Sequence, residues 1–175
     1  ILSYSWPLKP TPVASAYLKG VFGSRQKGWS GFKDLRSALK NGKFRDHIED
    51  VPLYNALLKN TVTPTILRGG EKINVIPTES AISFDARLLP TEKHEKFFRT
   101  IKALAGEDVS VERVSEYTGK PAPSGYNSVY FRGIGKVIRH MAGTAVPVLP
   151  YITTGATDLR YFRDNGVTAY GFFPF

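Results

Sequence analysis

Residues 72–90, KINVIPTESAISFDARLLP, set a turn ahead of a long alternating strand that carries two opposite charges on one side. Side chains in a strand alternate between faces, so Ile82, Phe84, Ala86 and Leu88 share one face and Ser83, Asp85 and Arg87 the other. The first face needs a core to cover it. The second, with Arg87 beside Asp85, needs water, a counter-charge or a ligand. Asn74 stands just before the turn at Pro77, where a short polar side chain can reach past the strand end.

The elements around this strand predict an α+β arrangement. Residues 1–7 read as a short strand stopped by Pro7. Thr11 then offers an N-cap with Pro12 in the first helical position. Ala14, Tyr17, Leu18, Val21 and Phe22 follow at helical spacing, and Gly23 is expected to close the helix. Residues 24–59 look like a helical insertion: Ser30 could cap a helix ending at Asn41-Gly42, and Pro52 starts another. Strands are predicted at 61–69 and 79–89. A helix capped by Thr91 carries Phe97, Phe98, Ile101 and Leu104, and a last strand holds Val109 and Val111. In order this is a ferredoxin-like βαββαβ unit, residues 1–117, with a helical insertion at about 24–59.

After residue 117 the pattern changes. TGKPAPSG reads as a linker between domains. Asn127 caps a helix with Tyr130, Ile134, Val137, Ile138 and Met141 on one side, ended by Gly143. AVPVLPYI (145–152) is apolar throughout, and its two prolines require a short or edge strand. Thr157 begins a short helix stopped by Gly166, before a further apolar strand. Residues 118–175 are therefore expected to form part of an α/β domain that needs strands from elsewhere. The abrupt apolar ends suggest an interior piece of a longer protein.

Composition excludes several classes. There are no cysteines, so disulfides and thiolate metal sites are out. The net charge is +9, but basic residues are scattered singly, about +5 over residues 1–117 and about +4 over the rest. That diffuse excess argues against a nucleic-acid partner and reads as a solvated surface with some preference for anions. No apolar run approaches the ~20 residues of a membrane span. No targeting leader is visible, and the compartment stays open, with the cytoplasm slightly favoured.

NVIP followed by an alternating strand ending in R-x-x-P resembles the zinc-dependent aminoacylase, carboxypeptidase and succinyl-diaminopimelate desuccinylase superfamily. Two further segments fit it in order: NTVTPTILRGG (60–70) resembles the preceding strand, and TTGATDLRYFRDNGVTAYGF (153–172) a late glycine-rich substrate loop. The resemblance implies the lid or dimerisation domain of such an enzyme, followed by the C-terminal part of its catalytic domain. The parent would hydrolyse the amide of an N-acyl amino acid or a peptide C-terminus, and would be a homodimer through the lid. Two zinc ions, or similar divalent metals, are expected in the complete enzyme. No cofactor is expected in this chain, because the superfamily's H-x-D motif, paired glutamates and late histidine are missing. His47, His94 and His140 lack ligand-like spacing and read as surface residues, so the fragment alone is expected to be inactive.

The same resemblance assigns roles. Arg87 binds the substrate carboxylate, which its planar fork suits. Asn74 is the catalytic residue, near the scissile carbonyl and its developing oxyanion. Thr153, Thr154, Gly155, Ala156 and Thr157 form the loop that holds the carboxylate with Arg87. From spacing alone, Asn74 is equally a turn residue, Arg87 is more readily the partner of a nearby acid, and Gly155 and Thr157 are also what a tight turn and a cap require. One departure stands out: where the superfamily carries a lid histidine before Ser-x-Pro, LSYSWP has Ser3 or a neighbour; either the correspondence slips at the end of the fragment or this member lacks the histidine, which would put the parent's activity in question. Two rival readings remain, a ferredoxin-like module binding RNA or protein and a catalytically dead homologue kept for dimerisation. The RNA reading lacks the aromatic signature on its strands.

Overall fold

The computed structural model describes residues 1–25, 34–114 and 123–172. Among these, seven helices and one two-stranded antiparallel sheet make an α+β chain. Two compact units are present: residues 1–7 with 59–112, and residues 8–58 with 113–175. The second unit thus takes in most of the stretch read as a lid insertion.

In the first unit, β1 (Thr61–Gly69) pairs with β2 (Ser80–Arg87) from Thr61↔Arg87 to Gly69↔Ser80. The register shifts between Pro64 and Ile66. Proline has no N–H to give a ladder and is tolerated at such bulges, and Thr65 there donates its hydroxyl to the Ser83 carbonyl at 3.3 Å. Leu67 lies opposite Ile82, Pro64 opposite Phe84 and Val62 opposite Ala86, so the ribbon has the apolar face its alternation predicts. That face is not covered: Leu67 is 77% and Ile82 52% exposed.

Helix α5 (His94–Ala105) buries Phe97 and Ile101, and Trp6 stacks on Phe97 at 5.0 Å. It starts at Lys93 without a side-chain cap, so the expected cap at Thr91 is displaced. Gly106, at φ 89°, ends it in a backbone conformation that glycine adopts without strain. Asn60 is 4% exposed and binds in both directions. Its Oδ1 accepts from the Leu89 N–H at 2.9 Å and its Nδ2 donates to Glu92 at 2.8 Å.

In the second unit, α1 (Pro12–Arg25) begins as its sequence requires: the Thr11 hydroxyl accepts from the Ala14 N–H at 3.2 Å. Ala14, Leu18 and Phe22 recur every four residues and are buried. They meet Leu35 and Ala38 of α2 (Leu35–Ala38), Phe44 and Ile48 of α3 (Gly42–Asp50), and Leu57 and Leu58 of α4 (Pro52–Leu58). Phe22 is the hinge of this core, edge-on to both Phe44 and Tyr54 at 5.3 Å. Helix α1 runs past Gly23, because glycine weakens a helix without ending it. Asn41, expected at a helix end, instead caps α3 through its Oδ1 and the Phe44 N–H at 3.1 Å. Asp34 caps α2, and the proposed cap Ser30 lies outside the described residues.

The C-terminal stretch holds α6 (Val129–Ala142) and α7 (Leu159–Asp164). Ser128, rather than the expected Asn127, caps α6 through the Phe131 N–H at 3.0 Å. Ser124 exchanges hydrogen bonds with the Ala169 backbone at 2.9 and 3.0 Å, and Tyr170 donates to the Gly125 carbonyl. Most of the linker expected at 118–125 lies outside the described residues.

Four segments expected as strands, 1–7, 109–111, 145–152 and 167–172, form no ladder among the described residues. A strand is defined by its neighbour, and an apolar run with no partner backbone has nothing to pair with. Pro147 and Pro150 further remove two donors from the third of them. The ferredoxin-like order of strands is accordingly reduced to its central hairpin.

Candidate functional site

Arg87 closes β2 opposite Thr61, on the face shared with Ser83 and Asp85. Its Nε donates to Asp85 Oδ2 at 2.9 Å, and the two side chains are 58% and 50% exposed. So the acid partner allowed by the sequence is present, two residues back on the same strand. At this exposure the pair contributes only ~0.2–1 kcal/mol. Next to it, the Asn60 clamp on Leu89 fixes the backbone just past Arg87. Sequence reasoning gave Asn60 no role of its own, since a polar residue opening a strand looks the same whether it is solvated or buried.

Asn74 lies in the exposed connection between the strands, beside Ile73, Val75 and Ile76, which are 109%, 56% and 90% exposed. This connection joins the Gly69/Ser80 end of the ladder, whereas Arg87 sits at the Thr61 end. Seven steps of β2 separate those ends, about 23 Å at ~3.3 Å per residue. The hairpin therefore puts its two assigned residues at opposite ends of the ladder.

The Thr153–Thr157 loop belongs to the second unit and is exposed throughout. The Gly155 N–H donates to Thr153 Oγ1 at 3.2 Å, which accounts for a hydroxyl residue at that position. The expected helix start at Thr157 is corrected to Leu159, with Asp158 before it making no side-chain cap. With only six residues, α7 supplies too short an array of aligned peptides for a helix-dipole anion site.

Leading into this loop, Tyr151 packs edge-on against Tyr17 of α1 at 5.1 Å, and Ile152 packs against the buried core. The Tyr17 hydroxyl has its pKa raised, chiefly by burial and then by the nearby Tyr54 and Tyr151 hydroxyls. These contacts run between residues that the sequence assigned to two different domains.

The histidines lie on separate helices. His47 packs edge-on against Phe22 at 5.8 Å, His94 opens α5, and His140 lies in the last turn of α6. Among the described residues no group of three or more His, Asp or Glu side chains could hold a metal ion. The described residues thus do not fit a two-metal centre. Among the same residues no helix is long and apolar enough to cross a membrane.

Comparison with known proteins identifies the surroundings of this hairpin. Residues 30–111 match the peptidase dimerisation domain of the M20 family. Human aminoacylase-1 is 32% identical over 118 residues, covering 65% of this chain and 28% of that protein. Mouse aminoacylase-1 is 29% identical over 136 residues, 75% of this chain and 33% of its own length. The human N-fatty-acyl-amino acid synthase/hydrolase is 24% identical over 129 residues, 73% of this chain and 26% of that protein. No solved structure matches. The chain spans about a third or less of the length of these relatives. Over residues 30–111 the chain is thus similar to the dimerisation domain of M20 peptidases.

Proposed function

We propose that this chain is the lid, with the following C-terminal segment of the catalytic domain, of a metal-dependent hydrolase that cleaves amides adjacent to a free carboxylate. Substrates of this class are N-acyl amino acids and peptide C-termini, and the names of the aminoacylase relatives support the first. The observation that carries the reading is Arg87: a guanidinium on the polar face of the ribbon, paired with Asp85 and followed by the backbone that Asn60 clamps at Leu89. A carboxylate arriving there makes a charge-assisted contact with the guanidinium.

In the same reading, residues 1–117 are a ferredoxin-like lid whose remaining strands pair outside the hairpin, and residues 118–175 belong with the catalytic sheet. Asn74 is assigned to the oxyanion, and Thr153 to Thr157, including Gly155 and Ala156, to a substrate carboxylate. The metal ions, two zinc ions in this proposal, are held by residues of the complete protein beyond this chain, which by itself is inactive. The uncovered Leu67/Ile82 face and the exposed hairpin edges are where a second copy associates. The test is hydrolysis by the complete protein of N-acyl amino acids with a free carboxylate, against the same acyl groups on amino-acid amides. Cleavage confined to the carboxylates supports the proposal; equal cleavage of both removes carboxylate recognition from it.

A further inference from the structure

We propose that helix α1 is the seat of the Thr153–Thr157 loop, with Gly20 and Tyr17 as positioning residues; this rests on the reading of that loop as a carboxylate site. Glycine is the weakest helix former after proline, yet Gly20 stands inside α1. A Cβ there would overlap the Leu149 isobutyl group, whose Cγ lies 3.0 Å from the position it would take. One turn back, Tyr17 meets Tyr151 at 5.1 Å. Leu149 and Tyr151 are two apart, and residues two apart in extended chain point the same way. They dock in reverse order on Gly20 and Tyr17, so the segment runs antiparallel along α1. Ile152 adds a third anchor against the cluster that includes Leu18, Leu57 and Leu58. All three anchors fall within the four residues before Thr153, and Pro150 between them restricts the backbone further.

Gly20 is thus an absence with a use: the missing side chain lets the strand-like segment approach and sets where the loop begins. Within the loop the Gly155 N–H donates to Thr153 Oγ1.

The distinguishing variants in the complete protein are Gly20→Ala and Tyr17→Ala, with Tyr17→Phe as the conservative partner and Thr153→Ala as the loop control. Alanine improves the intrinsic helix propensity at residue 20, so a loss there is not a loss of α1. Amide hydrogen exchange of residues 153–157 should quicken about tenfold in Gly20→Ala and Tyr17→Ala. KM for an N-acyl amino acid should rise roughly tenfold, with kcat changing less, as expected for a displaced binding group. Tyr17→Phe keeps the ring contact and should match the parent. Unchanged loop exchange in both α1 variants would overturn the seat. If exchange rises and KM moves only in Thr153→Ala, the positioning inference falls and the carboxylate reading stands. If KM moves in neither the loop control nor the α1 variants, the carboxylate reading falls and takes the inference with it.

Discussion

Asn60 is the residue whose replacement should cost the first unit most for the smallest change in shape. Its Oδ1 satisfies the buried Leu89 N–H at 2.9 Å, and its Nδ2 meets the Glu92 carboxylate at 2.8 Å. In Asn60→Ala the Leu89 donor is left unpaired, which costs ~1–3 kcal/mol. The bond to the part-exposed Glu92 adds ~1 kcal/mol, the net value of an ordinary hydrogen bond. The sum is a destabilisation of about 2–4 kcal/mol. Asn60→Asp keeps the acceptor for Leu89 but sets two carboxylates against each other. It should therefore be destabilising at neutral pH and recover part of the loss on acidification. Urea unfolding of this chain, read by Trp6 fluorescence in a Trp29→Phe background, reports on this unit because Trp6 stacks on Phe97. At an m-value of ~2 kcal/mol/M, Asn60→Ala should lower the midpoint by about 1–2 M. A shift worth less than ~0.5 kcal/mol, the range of an ordinary surface substitution, would refute the clamp.

Other expectations are shorter. Thr11→Ala removes the hydroxyl that accepts the Ala14 N–H and should cost about 1 kcal/mol in thermal or urea unfolding. Tyr17 has a raised pKa, so the folded state keeps its proton where the unfolded state has lost it. Its contribution to stability is complete below the unfolded value of about 10 and is lost as pH rises through the folded value. Tyr17→Phe should flatten that alkaline fall in a pH series of unfolding midpoints, and an unchanged fall would contradict the assignment. Leu67→Lys, on the uncovered face of the ribbon, should leave the midpoint within ~0.5 kcal/mol but shift sedimentation of the complete protein towards monomer. Undiminished dimer would place the interface elsewhere.

Much of this fold could be read locally. Thr11-Pro12 marked the start of α1, Pro52 that of α4, Gly143 the end of α6, and alternation found both strands. Local chemistry fixes these because a cap or a breaker acts within one turn of its own position. What failed was decided at a distance or between equals. Ser128 won its cap position from Asn127, a neighbour of similar propensity, while α5 starts at Lys93 without a side-chain cap. The apolar runs at 145–152 and 167–172 have strand composition, but pairing depends on a partner that composition does not name. The site divided in the same way. The pairing of Arg87 with Asp85 follows from their i, i+2 spacing on one face. The buried clamp of Asn60 and the Gly20–Leu149 contact join residues 29 and 129 positions apart, and no periodic pattern announces either one.

Arg87 is where the account is most exposed to a single measurement. It projects from the face opposite Phe84, and its visible bond to Asp85 is half exposed, so its loss should barely change stability. Loss of a charge-assisted contact to a substrate carboxylate should cost ~1.5–3 kcal/mol, or roughly one to two powers of ten in kcat/KM. The measurement is the ratio of kcat/KM for an N-acyl amino acid to that for its amide, in the complete protein and in its Arg87→Ala and Arg87→Lys variants. The account predicts that both variants melt near the parent temperature and lose most of the discrimination, because lysine cannot reproduce the planar fork. Discrimination retained with a lowered melting temperature would make Arg87 a structural partner of Asp85 and contradict the proposed carboxylate site.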